Sequence, residues 1–237
     1  MSTEEWMPLL DLRLAPDEFR RLPRHAAYRY SYHEGVVWMS PCPRFYHAAL
    51  DLQGPTGPTA APVTVRPFHA DDWDAAVSVF ANAFAQQQPF AGLSPEARAL
   101  VARECLERVQ AGGDGPWIEA ASFAAVSRDG ELVGALLVTL VPNADPTDWA
   151  AYVWLDPPPT DALARRLGRP HLTWIFVHSR EAGQGIGTAL LNACVVALRA
   201  LGFTELHTTM MVGNESSMLW HWRSGFRLLA YPGSRRS

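Results

Sequence analysis

Two clusters in this 237-residue chain combine residue types that do chemistry. The first is Ser179 to Thr188, SREAGQGIGT, where Gly183, Gly185 and Gly187 alternate with Gln184, Ile186 and Thr188. Glycines let a backbone approach a ligand closely. When such a turn runs into a helix, the first-turn N–H groups and the helix dipole attract an anion. Just upstream, Leu172 to Val177 is a short apolar run that reads as a buried strand. Downstream, Thr188 to Leu201 reads as an apolar helix closed by Gly202. Strand, glycine turn and helix together predict a phosphate-binding device. The second cluster is Asn214 to Phe226, NESSMLWHWRSGF, a helix with Asn214 at its start and Gly225 at its end. His221 sits in it between two tryptophans; an imidazole near its ordinary pKa is mostly neutral at pH 7 and has one N–H to offer.

The rest of the chain reads as the frame for these clusters. Pro16 to Pro23 fits one or two helical turns. Tyr28, Tyr30 and Tyr32 alternate with polar residues, His33-Glu34-Gly35 is a turn, and Val36 to Met39 returns, so a tyrosine-rich hairpin is expected. Pro41 and Pro43 end it. QGPTGPTAAP, residues 53–62, is a linker by composition. Val63 to Arg66 is a strand, followed by a helix capped by Asp71 or Asp72 with apolar residues at Trp73, Val77, Phe80 and Phe84. A second helix starts at Ser94-Pro95-Glu96 and turns Leu100, Val101, Cys105 and Val109 inward. Phe123 to Val126 and Leu132 to Val141 are strands joined around Asp129-Gly130. Pro142 to Pro170 is long, irregular and tryptophan-rich, with Asp161 to Leu167 as a short helix; such a segment reads as a lid or wall. Glu205 to Val212 and Phe226 to Tyr231 complete the strands. The order predicts a mixed α/β (α+β) fold with a mixed sheet and helices on both faces. The expected organisation is an N-terminal extension (1–52), a linker (53–62), the main domain (63–231) and a tail (232–237).

Bulk properties narrow the function classes. The net charge of −4 points away from nucleic acid as a partner. The longest apolar run, Leu132 to Val141, is too short to span a bilayer, so no membrane role is expected. The three cysteines form no CxxC pair, and Cys105 and Cys194 fall on apolar helix faces, which fits a reduced, cytoplasmic setting. No run has metal-ligand spacing.

VHSREAGQGIGTALL resembles the acyl-CoA-binding motif of the GNAT superfamily of N-acetyltransferases, and Asn214 to Phe226 resembles that family's second signature. The two stand in the family's order, one strand apart, and the likeness spans roughly Val63 to Tyr231. It implies a GNAT-like acyl-CoA N-acyltransferase fold, here with an N-terminal hairpin extension. It also implies acetyl-CoA as the acyl donor and a small-molecule or peptide amine as the acceptor. By the same resemblance Gly183, Gln184, Gly185, Gly187 and Thr188 surround the pyrophosphate. Phe176 and Val177 pair with the pantetheine arm, and the Val177 N–H polarises the carbonyl. Asn214 caps and positions its helix. His221 stands where many members have a tyrosine, and protonates or hydrogen-bonds the departing thiolate. The family's leading Arg or Gln is Ala182 here, so Arg180 and Gln184 are the expected substitutes. His178 and His207 are the candidate general bases, with a water chain to a distant carboxylate as the alternative. Members often end with a further strand, and the hairpin Tyr28 to Met39 is expected to cover the sheet edge instead. A homodimer is compatible with this reading. The competing function is a catalytically weak or inactive acyl-CoA-binding module that acts as a sensor or partner.

Overall fold

In a computed structural model of the chain, the described residues are 12–22, 28–41, 45–57, 60–87, 89–143 and 153–229. The elements are β1 (Leu12–Arg13), α1 (Pro16–Arg21), β2 (Tyr28–His33), β3 (Val36–Pro41), β4 (Phe45–Asp51), β5 (Thr64–Pro67), α2 (Trp73–Ala83) and α3 (Pro95–Gln110). They continue with β6 (Phe123–Val126), β7 (Leu132–Pro142), β8 (Gly168–Val177), α4 (Ile186–Ala200), β9 (Glu205–Met211), α5 (Glu215–Arg223) and β10 (Arg227–Leu228). Trp149 and Tyr152, Asp145 and Asp148 of the expected lid, and Tyr231 lie outside the described residues. Where Asp161 to Leu167 was expected to be helical, residues 160–166 form hydrogen-bonded turns instead, with Arg166 at φ 53°.

Seven strands form one sheet in the order β10-β4-β9-β8-β7-β6-β5. β7 runs Leu132 to Pro142 with Val133 to Val141 buried, as expected of a strand covered on both faces. On one face α4 buries Ile186, Leu190, Leu191, Cys194, Val195 and Leu198. Each such side chain contributes about 1.5–3 kcal/mol, more than intrinsic helix propensity, so this stripe sets how α4 lies. On the other face α2 contributes Trp73, Val77 and Phe80, and α3 contributes Ala102, Cys105, Leu106 and Val109. Leu100, expected inward, is instead largely exposed, because the buried stripe of α3 runs through Ala102 and Leu106. Ser94 caps α3 as expected, accepting the Ala97 N–H at 3.2 Å. Asp72 precedes α2 but does not cap it. Its carboxylate receives both Nη atoms of Arg66 at 2.7 Å, together with the His69 N–H at 2.8 Å. That fork ties β5 to the start of α2.

The expectation that the hairpin Tyr28 to Met39 covers the sheet edge is not met. β2 and β3 pair with each other, β1 joins β3, and the three form a separate sheet. The place is taken by β4, which lies inside the main sheet between β9 and β10. It pairs antiparallel with β9 from Phe45↔Met211 to Asp51↔Glu205, and with β10 at Ala48↔Leu228 and Ala49↔Arg227. Ala48 and Ala49 are fully buried on opposite faces, and β4 offers no period-2 signal because both of its faces are covered. The stretch that follows, read as a linker, is laid along α4. There Asn192 Nδ2 donates to the Gly57 carbonyl at 2.8 Å, and Arg199 donates to the carbonyls of Leu52 and Gly54.

β4 is thus an interior strand supplied from ahead of the remaining sheet in sequence. Deleting residues 1–52 should give insoluble protein or abolish cooperative thermal unfolding. Ala48→Asp, which places a carboxylate in the core, should do the same. A soluble truncation with an unchanged melting temperature would contradict this placement.

Candidate active-site cleft

The cleft forms where two strands stop pairing. β8 and β9 run parallel, but only His171↔His207 and Leu172↔Thr208 are paired. Just beyond lies a bulge. Leu137 faces Trp174 and Val138 faces Leu172, so Thr173 is an extra residue on β8. The extra residue changes which face each side chain meets. Leu172 packs into the α4-side core, whereas Trp174 and Phe176 pack with the α2 and α3 side. The opening between the strands has a volume of about 740 Å³, and both strands line it, Leu172 to Val177 on one side and Thr208 to Met211 on the other.

The backbone of β8 supplies donors to this opening. The His178 N–H bonds the Val133 carbonyl at 2.8 Å, which makes that pair hydrogen-bonded and Gly134↔Val177 the next, non-bonded pair. By the antiparallel alternation, the N–H groups of Val177 and Ile175 point away from β7, toward the opening. Glycine is needed at position 134: a Cβ there would stand 2.9 Å from the Phe176 carbonyl oxygen.

The glycine turn closes one end. Gly183 and Gly185 hold φ of 80°, and Gly185 occupies the N-cap of α4 in the left-handed conformation without a side-chain cap. The first helical bond runs from the Ala189 N–H to the Gly185 carbonyl. The N–H groups of Ile186, Gly187 and Thr188 therefore have no carbonyl within the helix. The first turn of α4 carries no acidic residue. Gly183, Gly185, Gly187 and Thr188 line the cleft, and a Cβ at Gly187 would meet Trp220 Nε1 at 3.1 Å. A pyrophosphate fits this cradle through main-chain donors. The side chains of Arg180 and Gln184 are not brought to it. Arg180 pairs with Glu131 at 2.6 Å and Glu181 at 3.4 Å, and Gln184 donates to Glu181 at 2.8 Å.

The second signature forms α5. Asn214 caps it, accepting the Ser217 N–H at 3.1 Å, and lines the cleft. The helix ends in paired reverse bonds, Phe226 N–H to the His221 carbonyl and Gly225 N–H to the Trp222 carbonyl, both at 3.0 Å, with Gly225 at φ 90°. This termination sets the Phe226 ring against the His221 ring, with centroids 4.9 Å apart. His221 is 3% exposed at the cleft wall. Its Nδ1 stands 2.8 Å from the Ser217 carbonyl, which can only accept, so the neutral ring carries its proton there. Nε2 then presents a lone pair toward the Thr208 hydroxyl at 3.3 Å. Burial lowers the His221 pKa to about 4, against the opposing effect of the Ser217 carbonyl bond.

Neither expected base reaches the opening. His178 Nδ1 accepts the Arg180 N–H at 3.3 Å, outside the cleft lining, and His207 is buried beside Glu205 at 3.4 Å. Besides His221, the imidazole that lines the cleft is His171. A hydrogen-bonded chain crosses four strands through it. Thr139 meets Thr173 at 2.8 Å, Thr173 meets His171 Nδ1 at 3.1 Å, His171 Nε2 meets Thr209 at 2.9 Å, and Thr209 meets His47 Nδ1 at 3.0 Å. The repeated His-x-Thr of residues 171–173 and 207–209 is the signal in the sequence that points to this chain. Burial lowers the His171 pKa to about 3, with further lowering from His207, His47, Arg169 and His221. Burial, Arg169 and His207 bring His47 to about 4. Both cysteine thiols in the cores are pushed up by burial, Cys105 to about 12, which makes them packing groups rather than nucleophiles.

Three neutral buried imidazoles make folding sensitive to acid. The unfolded chain takes up these protons near pH 6.5, while the folded chain resists them to about pH 4. The stabilisation is fully present above pH 6.5 and is lost as pH falls through this window, about 3 kcal/mol for each ring by pH 4. Thermal melting followed from pH 7.5 to 4.5 should show a steep fall beginning near pH 6.5. A flat profile down to pH 4.5 would contradict the neutral assignment.

A sequence profile of the acetyltransferase (GNAT) family matches residues 93–226. No curated protein matches the chain. Among solved structures, a GCN5-related N-acetyltransferase of Sphaerobacter thermophilus superposes with a TM-score of 0.52 at 16% identity. The superposition covers 92% of this chain and 55% of that one, so the chain spans about half of that protein's length. A PaiA N-acetyltransferase of Thermoplasma acidophilum in complex with coenzyme A has a TM-score of 0.50 at 15% identity, covering 73% of this chain and 94% of the other. At these identities the likenesses show the fold. With the profile extending over more than half of the residues, from the start of α3 through the Gly225-Phe226 helix end, the chain belongs to the GNAT acetyltransferase family.

Proposed function

We propose that the chain is an acetyl-CoA-dependent N-acetyltransferase that moves an acetyl group to a primary amine of a small molecule or peptide. Transfer is direct, within a ternary complex. The observation that carries this reading is that the glycine-turn donors at the start of α4 and the Val177 N–H open onto the same cleft. Acetyl-CoA is the donor used by the family, and coenzyme A is bound by the Thermoplasma relative.

In this reading Gly183, Gly185, Gly187 and Thr188 hold the pyrophosphate through main-chain N–H groups, and Asn214 fixes the start of α5. The strand end Phe176–Val177 aligns the pantetheine arm. The Val177 N–H stabilises the oxyanion as the neutral amine attacks the thioester carbonyl. The new C–N bond forms, the C–S bond breaks, the thiolate departs with the electron pair, and the nitrogen loses one proton. That proton goes to the departing thiolate, so the products are the amide and free CoA thiol, and the Thr173 and Thr209 hydroxyls line the cleft along its way. Holding donor and acceptor together supplies much of the acceleration. His221 differs from its expected role. With Nδ1–H committed to Ser217 and the pKa held near 4, it does not protonate a thiolate at pH 7 and serves to position Thr208 and α5.

The second reading, an acyl-CoA-binding sensor, draws on one observation: Glu181 is the sole carboxylate among the described cleft-lining residues, and it is engaged by Gln184 and Arg180. Thiol release from acetyl-CoA over a panel of amines separates the two readings. Amine-dependent release supports the transferase, whereas tight CoA binding with no release supports the sensor.

Two variant sets test the roles. His221→Phe should lower kcat by less than about tenfold and leave the pH–rate profile between 6 and 9 unchanged. Loss of an ionisation from that profile would restore His221 as the acid. For the cradle, CoA affinity measured by calorimetry should be within about twofold of wild type in Arg180→Ala, and about tenfold weaker in Gly187→Val, which crowds Trp220. A tenfold loss in Arg180→Ala would show a guanidinium–phosphate contact instead.

A further inference from the structure

We propose that the acceptor half of the cleft selects a primary amine carrying an apolar aromatic group, rather than a polyamine or a basic peptide. This rests on the transferase reading above. On the α2 side the cleft is walled by aromatic rings. Phe84 follows α2, Phe90 comes from the connection to α3, and Trp174 comes from β8 just past the bulge. They pack as one unit. Phe84 and Phe90 centroids are 5.4 Å apart, Phe84 and Trp174 5.9 Å apart at 72° between planes. Phe80 backs them from α2, 4.8 Å from Trp174 and 4.6 Å from Phe84. Rings backed by a second layer offer a fixed slot for another flat apolar ring.

Charge points the same way. A second ammonium group entering a desolvated cleft needs a carboxylate partner. Among the described lining residues the one carboxylate is Glu181, already engaged by Gln184 and Arg180. Beside the aromatic wall the polar groups are instead neutral. Thr173, Thr209 and His171 supply hydroxyl and imidazole atoms to one amine nitrogen and nothing to a second cation. An acceptor with a single nitrogen and an aromatic body satisfies both surfaces.

The test uses the full-length protein with acetyl-CoA and compares kcat/KM for phenethylamine, spermidine and a lysine-containing peptide. Phenethylamine should lead both by at least about tenfold. Equal values, or preference for spermidine or the peptide, would overturn the inference while leaving the transferase reading intact. Calorimetric titration of phenethylamine and spermidine into the CoA-saturated protein separates the opposite case. If no amine is acetylated but phenethylamine binds and spermidine does not, the aromatic site stands and the transferase reading fails. If phenethylamine does not bind, the site is overturned. Trp174→Leu should cut kcat/KM for phenethylamine about tenfold, and the ring-conserving Trp174→Phe should keep it within about threefold. Equal effects of the two substitutions would contradict recognition by the ring. Gln87→Glu adds a carboxylate to the same wall and should raise the spermidine-to-phenethylamine ratio; an unchanged ratio would argue that charge at this wall does not set selectivity.

Discussion

The cleft in this fold depends on one interrupted strand pairing. β8 and β9 share only two residue pairs before they part. A parallel pair that continued would satisfy the backbone of β8 and leave no room for a ligand. Here the bulge at Thr173 re-aims the strand, so the N–H groups of Ile175 and Val177 face the opening rather than a neighbouring carbonyl. Orphaned donors of this kind are costly when buried and useful when a substrate supplies the acceptor. The same bulge sends Trp174 and Phe176 to the α2 side and leaves Leu172 under α4, so one extra residue both opens the cleft and builds its aromatic wall.

The splay is stable because both strands are anchored elsewhere. β8 pairs with β7 along its length, and β9 is held on its other side by seven residue pairs with β4. β4 therefore does more than close the sheet: it fixes the far wall of the cleft, and through His47 it joins the hydroxyl–imidazole chain that runs to Thr139. The α4 core fixes the glycine turn relative to β8, and the paired reverse bonds that end α5 fix His221 through Phe226. Each element of the site is positioned by burial remote from it, which leaves its polar groups available for chemistry.

The glycine turn, the helix behind it and Asn214 were legible because their signals are local: positive-φ glycines, a cap and an apolar stripe. The Asp129-Gly130 hairpin was legible for the same reason. β4 was not, since Ala48 and Ala49 are buried on both faces and lack the alternation that marks a half-buried strand. The bulge at Thr173 was not either, because an extra residue leaves no mark on composition. His221 lies on α5 and lines the cleft, but its tautomer depends on a carbonyl one turn back and on burial, which emerge only when α5 is packed. Arg180 and Gln184 were adjacent in sequence to the cradle, yet Glu131, 49 positions away, claims the arginine. The His-x-Thr repeats gained meaning only once β8 and β9 were neighbours.

On the proposed function, the splay between β8 and β9 receives the acyl donor. A crystal structure of the complex with acetyl-CoA tests it most directly. The pyrophosphate should lie within hydrogen-bond distance of the main-chain N–H groups at Gly183–Thr188, and the thioester carbonyl oxygen at the Val177 N–H. A donor seated elsewhere, or a β8–β9 gap filled by continued strand pairing, would contradict it.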